Sequence, residues 1–400
     1  MGADRARGGR QLPALPGRDV LAEPTEVTLP APFRGTPYPY RHNSLNLFRL
    51  VLAALVLFAH AWYIAGRGAG PSIQGENLGG WAVAGFFVLS GFLITRSRLR
   101  TSPGEYLLHR IARIYPAFVV VLLVTAFVFA PAALLIEQGS LDGFLSTPVT
   151  PLQYVWGNLA LHIDHYDIGT TLQSVPYAGA WNGSLWTLFY EFLCYLLVWV
   201  LGFLALFRRS PVLVGIAFVA SVAVYAGIDV AHRLGLDTSF DLLARLAPFF
   251  LGGSLIYFIV ERWGINRILG LVALLVTVAM IWLIPRWGGQ AAAPFLAYGL
   301  LSLSTWIPQP AWVARNDVSY GFYIYAWPVQ QLTVLIGGAE MSMWVYIPVT
   351  VVVTFALAWL SWVAVERPAM RLVRPQSAGA LSASVTPPDP VGPPSGMKAA

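Results

Sequence analysis

Residues Ser44 to Ala65 read SLNLFRLVLAALVLFAHAWYIA, an apolar stretch long enough to span a bilayer that contains two ionisable residues, Arg49 and His60. At about 100° per residue, the steps between these two residues come to roughly three helical turns. Both side chains therefore lie on one face, about 16 Å apart along the axis. Because an ionisable group costs roughly 2.5 kcal/mol or more at the bilayer centre, each is expected to face a protein interior or a wet cavity. We interpret this face as a candidate site. In the alternative interpretation, Arg49 extends to the membrane interface and His60 is a hydrogen-bonded core residue.

The composition identifies the class of protein. Of the 400 residues, 57% are hydrophobic and 11% are charged, whereas soluble domains contain about 25% charged residues. This predicts an integral membrane protein. The net charge of +6 comes mainly from arginines at the ends of apolar segments, where membrane topology explains them, so no nucleic-acid partner is expected. The single cysteine, Cys194, excludes an intrachain disulfide and a cysteine-based metal site.

The chain is predicted to be one all-α membrane domain between two tails. Residues 1–43 and 375–400 are rich in Gly and Pro and lack an apolar core, which predicts disordered cytoplasmic tails. Residues 44–374 form the predicted transmembrane domain, a polytopic bundle of about ten helices. The apolar runs of spanning or near-spanning length are Ser44 to Ala65, Gly79 to Thr95, Ile111 to Ile136, Ser184 to Leu206, Val212 to Ile228, Leu242 to Val260, Ile268 to Ile284, Ala292 to Ile307, Val318 to Ile336 and Trp344 to Val365.

The arginines orient these helices. Short cytoplasmic loops collect Lys and Arg, and the arginines gather in alternate connections and after the last helix. This predicts that both termini are cytoplasmic and that the protein is a multi-pass protein of the inner (plasma) membrane. The outer segment from Glu137 to Gly183 contains no Lys or Arg; we expect it to cap the outer mouth or to include a re-entrant piece. Its HIDHYD sequence, at residues 162–167, is interpreted as polar surface and not as a metal site.

A carboxylate is predicted at the depth of His60. On the predicted orientation His60 lies about 8 Å from the outer end of its helix, and Glu191 lies roughly 10 Å deep in the fourth helix. A carboxylate beside a histidine fixes its tautomer and raises its basicity, which indicates a base and its orienting partner. The alternatives are a structural ion pair or a carboxylate bonded to Ser184 or Trp186.

Two arginines at the start of the third helix indicate a binding site for phosphate groups. Arg110 and Arg113, at positions i and i+3, share a helix face and present two forked donors. Such a face suits the phosphates of a cytosolic nucleotide-like cofactor. The alternative is that both arginines only anchor the helix at the cytoplasmic surface.

The chain resembles the acyltransferase 3 family of membrane acyltransferases along almost all of residues 44–371. The resemblance is carried by Arg49 with ten residues before His60 and by the blocks GFFVLSGFLI at Gly85 to Ile94, RIARIYPA at Arg110 to Ala117, NGSLWTLFYEF at Asn182 to Phe192, RLAPFFLGG at Arg245 to Gly253, SYGFYIYAWPVQ at Ser319 to Gln330 and VERPAMR at Val365 to Arg371. It implies a ten-helix bundle that moves an acyl group, often acetyl, from acyl-CoA to a hydroxyl of a sugar, glycolipid or similar small-molecule acceptor.

The resemblance also implies roles for individual residues. The catalytic histidine of the family falls on His60 and its partner arginine on Arg49. The arginines associated with the acyl donor fall on Arg110 and Arg113, and the family's acidic residue falls on Glu191. The chain departs from the family at Ala84-Gly85, where many members have an Asp, and at Tyr325-Ala326-Trp327-Pro328, which lacks a second histidine.

The resulting hypothesis is a membrane O-acyltransferase. Its histidine, His60, is expected to act as general base, oriented by Glu191, or as part of a covalent relay in which Ser90 or Ser184 also takes part. The membrane bilayer is the expected environment. No hydrolase-like domain is expected after the bundle, so a separate glycan-assembly partner is one expectation. The alternatives are a secondary transporter or flippase, although no inverted repeat is evident, and a non-catalytic scaffold or receptor.

Overall fold

The structure is a computed structural model that describes residues 35–235 and 240–373. These residues are mostly helical, as predicted, and the remaining parts of the two predicted tails lie outside the described residues. The helices are α1 (Leu45–Ile64), α2 (Leu78–Arg100), α3 (Pro103–Val124), α4 (Ala130–Gln138), α5 (Pro151–Asn158), α6 (Trp186–Leu201), α7 (Ala205–Arg209), α8 (Val212–Arg233), α9 (Asp241–Trp263), α10 (Arg267–Leu283), α11 (Gly288–Ala291), α12 (Ala293–Ser304), α13 (Ala311–Arg315), α14 (Ser319–Thr333), α15 (Met343–Ser361) and α16 (Arg367–Leu372). A short antiparallel pair, β1 (Ser72–Ile73) and β2 (Glu76–Asn77), joins α1 to α2.

Each of the ten predicted apolar runs contains a helix. Within the described residues, 6 helical segments are long and apolar enough to cross a membrane, and three shorter apolar helices accompany them. The count of ten spans therefore stays a prediction. The spanning segments are Leu45–Ile64, Leu78–Arg100, Pro103–Gln138, Val212–Arg233, Asp241–Trp263 and Met343–Leu372.

The third helix begins earlier than its apolar run predicts. Ser102 and Glu105 form a capping box in which each side chain accepts a hydrogen bond from the other residue's backbone N–H, and Pro103 occupies the first turn. These residues start α3 eight positions before Ile111, which was the predicted start. Its far end continues through a π-helical turn, Thr125–Phe129, into α4. Arg110 and Arg113 therefore lie within the helix rather than before it.

The helix α2 lies at the centre of the bundle and packs closely against α9. A side chain at Gly91 would overlap the carbonyl of Phe250, and a side chain at Gly253 would overlap the carbonyl of Val88. These two glycines therefore let the backbones approach closely, as small residues do between membrane helices. The helix α8 lies at the outside. Val214 is its one buried residue in the described structure, which leaves an apolar surface of the kind that faces lipid.

The ordered domain begins before the predicted boundary at residue 44. Thr36 exchanges backbone hydrogen bonds with Ile265, 2.9 Å and 2.7 Å long. The Tyr38 side chain is buried and its hydroxyl lies 2.7 Å from Oγ of Ser304. Residues of the segment 35–43, which the prediction assigned to the tail, therefore contact the bundle, and Tyr38 and Tyr40 pack on Phe92. The domain boundaries stay a prediction.

The segment between α4 and α6 covers one end of α14. The Trp327 indole N–H donates to the Ala180 carbonyl at 2.9 Å, and the Gln331 amide donates to the carbonyls of Tyr177 and Ala180 at 2.7 and 2.8 Å. This segment contains the short helix α5, which begins at Pro151. It thus forms a cap over the end of the bundle that holds His60.

Candidate active site

His60 lies near the end of α1 among aromatic rings. Its ring centroid is 4.9 Å from that of Trp327 and 5.4 Å from that of Tyr63. Nδ1 is buried and has no hydrogen-bond partner among the described residues. Beside Nε2 the start of α2 has a glycine, and a Cβ at Gly79 would lie 3.7 Å from that nitrogen. The imidazole is therefore held by ring packing, and His60 lines a cavity.

Glu191 does not contact His60. One oxygen, Oε1, accepts hydrogen bonds from the Ser90 hydroxyl at 2.8 Å and from the Tyr195 hydroxyl at 2.6 Å. The predicted pairing of Glu191 with His60 is thus not formed in the described structure, because two hydroxyls hold the carboxylate at the level of Arg49. Counting residues from a helix end placed Glu191 too close to His60. Of the two candidate relay serines, Ser90 is bound to this carboxylate, and Ser184 donates to Oδ1 of Asn182 at 2.8 Å.

Arg49 and Arg113 meet on one carboxylate. Oδ2 of Asp317 accepts from Nη1 of Arg49 at 2.5 Å and from Nη2 of Arg113 at 2.8 Å, and Nη1 of Arg113 lies 3.2 Å from Oε2 of Glu366. Glu366 is 1% exposed and also accepts from Ser361 at 3.1 Å. Burial alone would raise the pKa of Asp317, but Arg113 and Arg49 outweigh this and lower it to about 2. The two guanidinium groups are therefore neutralised by two carboxylates.

Arg110 differs from Arg113 in its partners. No carboxylate of residues 35–235 or 240–373 lies within salt-bridge distance of it. Its Nε is buried without a hydrogen-bond partner in the same part of the chain. The rings of Tyr106 and Tyr195 lie 5.9 Å from its Cζ. Arg110 therefore retains an uncompensated positive charge that is available to an anionic ligand.

Three cavities run in sequence from Arg110 to His60. The arginine cavity, of about 300 Å³, is lined by Arg49, Arg110 and Arg113 together with His109 and Ser90. The middle cavity, of about 50 Å³, shares Arg49 and Ser90 with it and is also lined by Glu191. The histidine cavity, of about 520 Å³, contains His60 and shares walls with the middle cavity. The walls that the histidine and middle cavities share are Val83, Thr187 and Tyr323.

The histidine cavity combines aromatic rings with polar groups. Besides His60, its polar lining includes an ion pair in which Nη2 of Arg245 lies 2.5 Å from Oε2 of Glu76. Burial raises the pKa of Glu76, and the Arg245 guanidinium offsets only part of that rise. The aromatic residues of the lining are Tyr63, Tyr177, Trp186, Tyr323 and Trp327. Charges are balanced here, whereas the arginine cavity is lined by three arginines and no carboxylate.

Sequence reasoning assigned no role to Asp317, Glu366, Glu76 or Arg245. Glu366 and Arg245 lie inside spanning segments, where a charged residue by default indicates an interior partner or a site. That signal was present in the VERPAMR and RLAPFFLGG blocks. Asp317 and Glu76 lie outside those spans, where acidic residues are ordinary, so their pattern carries no such signal.

In the HIDHYD sequence, the side chains of His162 and Asp164 are exposed and contact each other. Nδ1 of His162 lies 2.8 Å from Oδ1 of Asp164, and both side chains are 56% exposed. Across the described ranges, no three or more His, Cys, Asp or Glu side chains lie together in a way that could hold a metal ion.

Comparison with known proteins agrees with the resemblance. The profile of a family described as an acyltransferase domain matches residues 42–363. The chain is 28% identical over 349 residues to a protein of Shigella phage Sf6 named O-acetyl transferase, covering 82% of this chain and 96% of that protein. It is 28% identical over 364 residues to Nodulation protein 10 of Rhizobium leguminosarum bv. viciae, covering 82% of this chain and 94% of that protein. No solved structure matches the chain.

Proposed function

The chain belongs to the acyltransferase 3 family and is an acyltransferase, and from this premise we propose that it moves an acetyl group from acetyl-CoA to a carbohydrate hydroxyl. The series of cavities that joins Arg110 to His60 carries the proposal. It offers a cationic site for the donor at one end and an imidazole that lines a cavity at the other.

The arginine cavity suits an anionic donor. Arg110 has no carboxylate partner within the described residues, so its charge is available to the phosphates of coenzyme A. Arg113 is bound to Asp317 and Glu366, so we assign it to the shape and charge of the cavity wall and Arg110 to the phosphate contact. The roughly 16 Å between the levels of Arg49 and His60 on α1 is a distance that an extended pantetheine arm covers.

His60 performs the proton transfer in this proposal. Nε2 removes the proton from the acceptor hydroxyl, and the hydroxyl oxygen attacks the carbonyl carbon of the thioester. The carbon–sulfur bond then breaks, and His60 returns the proton to the departing thiolate. General-base assistance of this kind is worth about 10² to 10⁴-fold in rate. Glu191 lines the middle cavity and accepts hydrogen bonds from Ser90 and Tyr195. It is not assigned to the orientation of His60.

The histidine cavity suits a carbohydrate acceptor. Its aromatic rings offer apolar faces for the C–H surfaces of a sugar ring, and its polar groups offer donors and acceptors for hydroxyls. The name of the phage relative, O-acetyl transferase, supports acetyl as the group that is moved. We further propose that both termini are cytoplasmic, that the ten helices span the inner membrane, and that a separate glycan-assembly partner supplies the acceptor.

The test is acetyl transfer by the purified full chain in nanodiscs. Radiolabelled acetyl-CoA is supplied with a panel of glycosides, and both acetylated product and free coenzyme A are measured. We expect His60→Ala to lower transfer at least 10²-fold while the melting temperature stays unchanged. The matched control is His162→Ala, an exposed histidine of the same end of the bundle, which should behave as the wild type. Wild-type transfer by the His60→Ala variant would overturn the mechanism.

A further inference from the structure

The ion pair of Glu76 and Arg245 stands between two cavities. Both residues line the histidine cavity, and both also line a side cavity of about 200 Å³. The side chains of Arg245 and Glu76 are 31% and 30% exposed, so they are accessible to a ligand. Further polar groups of the side cavity are Gln74, Tyr225, Arg286 and Gln290. The pair is therefore part of the wall of an extended polar site that His60 shares.

Two consecutive glycines place this pair beside His60. A Cβ at Gly80 would overlap the Glu76 carboxylate and would lie 3.0 Å from Nη2 of Arg245. At the preceding glycine, Gly79, a Cβ would lie 3.7 Å from Nε2 of His60. Two adjacent residues at the start of α2 therefore lie against the ion pair and the imidazole, and both groups line the histidine cavity. A carbohydrate acceptor in this cavity can therefore contact both.

The chemistry of the pair favours a neutral ligand. A carboxylate only accepts hydrogen bonds and a guanidinium only donates them, so together they suit hydroxyl groups, which do both. Because the two charges of the pair balance, neither an anionic nor a cationic acceptor gains a net electrostatic attraction from it. This distinguishes the pair from the arginine cavity, whose lining favours an anion.

We propose that Glu76 and Arg245 form an acceptor subsite that binds hydroxyl groups of a neutral carbohydrate unit, next to the hydroxyl that His60 deprotonates. This inference rests on the proposed acetyl transfer. Both side chains contact the acceptor and neither takes part in the proton transfer, so their loss changes which acceptor is used.

The test compares how well the protein uses acceptors that differ in charge. Radiolabelled acetyl-CoA is supplied with the methyl glycosides of a neutral hexose, the corresponding uronic acid and the corresponding amino sugar. The wild type is expected to favour the neutral glycoside. Glu76→Gln leaves Arg245 unpaired and should move the ratio of kcat/KM at least tenfold toward the uronic acid. Arg245→Gln leaves Glu76 unpaired and should move it at least tenfold toward the amino sugar. Because each ratio compares glycosides with one preparation of protein, a variant that is only partly folded lowers all three kcat/KM values together and leaves the ratios unchanged.

The matched control is Asp164→Asn, which removes an exposed charge of the outer segment and should leave the acceptor ratios unchanged. If the single variants fail to fold, the double variant Glu76→Gln/Arg245→Gln is measured instead, because it removes both charges and leaves neither unpaired. This double variant should lose at least tenfold of the wild type's preference for the neutral glycoside over the two charged glycosides. If the variants of Glu76 and Arg245 give the same acceptor ratios as Asp164→Asn, the inference is overturned. The inference also fails, with the acetyl-transfer proposal intact, if the wild type consumes acetyl-CoA through His60 but ignores all three glycosides. Absence of any consumption that depends on His60 would overturn both.

Discussion

Arg49 of α1 and Asp317, which precedes α14, form an ion pair of 2.5 Å that joins the helix of His60 to the helix of Trp327. The same carboxylate oxygen binds Arg113 of α3. Three elements that are far apart in the sequence are therefore held together at one buried point. The histidine and the aromatic ring that packs on it lie at the other end of the two helices this pair connects.

Replacement of Asp317 by Asn should destabilise the protein. It leaves two largely buried guanidinium groups without their shared carboxylate, and breaking a buried pair on one side costs about 3 kcal/mol or more. We expect a lower midpoint in thermal unfolding of the detergent-solubilised protein. Asp164→Asn, at an exposed carboxylate, is the control and should stay within about 0.5 kcal/mol of the wild type.

The contribution of Asp317 should also depend on pH. Its pKa in the folded protein is lowered to about 2, so the stabilisation is fully present above the ordinary aspartate pKa of about 4. It is lost as the pH falls through about 2. The difference in unfolding midpoint between wild type and Asp317→Asn should therefore become smaller as the pH falls from about 4 to about 2. A difference that is independent of pH would contradict the assignment.

Substitution of Arg110 should weaken donor binding, whereas substitution of Arg113 should lower stability. We expect Arg110→Ala to raise the KM for acetyl-CoA about tenfold or more, because it removes the uncompensated cation of the arginine cavity. Its melting temperature should change little, since no carboxylate loses a partner. Arg113→Ala should lower the melting temperature, because Asp317 and Glu366 lose a buried partner. Equal effects of the two variants on KM and on melting temperature would refute this division of roles.

Glu191→Gln should leave the pH dependence of transfer in place. The structure gives Glu191 to Ser90 and Tyr195, so its charge does not orient the imidazole. We expect stability to fall by about 1 to 3 kcal/mol, as two hydroxyls lose a charged acceptor. The measurement is the pH profile of kcat/KM together with thermal unfolding. A shift of the profile by one pH unit or more would mean that Glu191 acts on His60 after all.

Gly183→Ala should disturb His60 through Trp327. A Cβ at Gly183 would lie 2.8 Å from Cζ3 of Trp327 and closer still to two other ring carbons, so the indole must move. Because that ring packs 4.9 Å from the imidazole, we expect transfer to fall about tenfold or more, which corresponds to about 1.4 kcal/mol. Gly227→Ala is the control. No atom lies within 4 Å of its Cβ position, and alanine is the better helix former, so activity should be unchanged.

The sequence by itself determined the class of protein, ten apolar runs that each contain a helix, and the common face of Arg49 and His60. These features follow from composition and from periodicity within a single helix, which involve no contact between distant residues. The capping residues of α3 were also local, although the apolar run alone hid them.

Only the tertiary structure decided which charged groups meet. Glu191 lies with Ser90 and Tyr195, and Asp317 lies with Arg49 and Arg113, because these contacts depend on which helices are neighbours and on how far each is shifted along its axis. A shift of one helical turn, about 5.4 Å, exchanges one hydrogen-bond partner for another. The spacing of residues within a single helix carries no information about that shift. The pairing of the buried charges and the series of cavities between Arg110 and His60 therefore appear only in the assembled bundle.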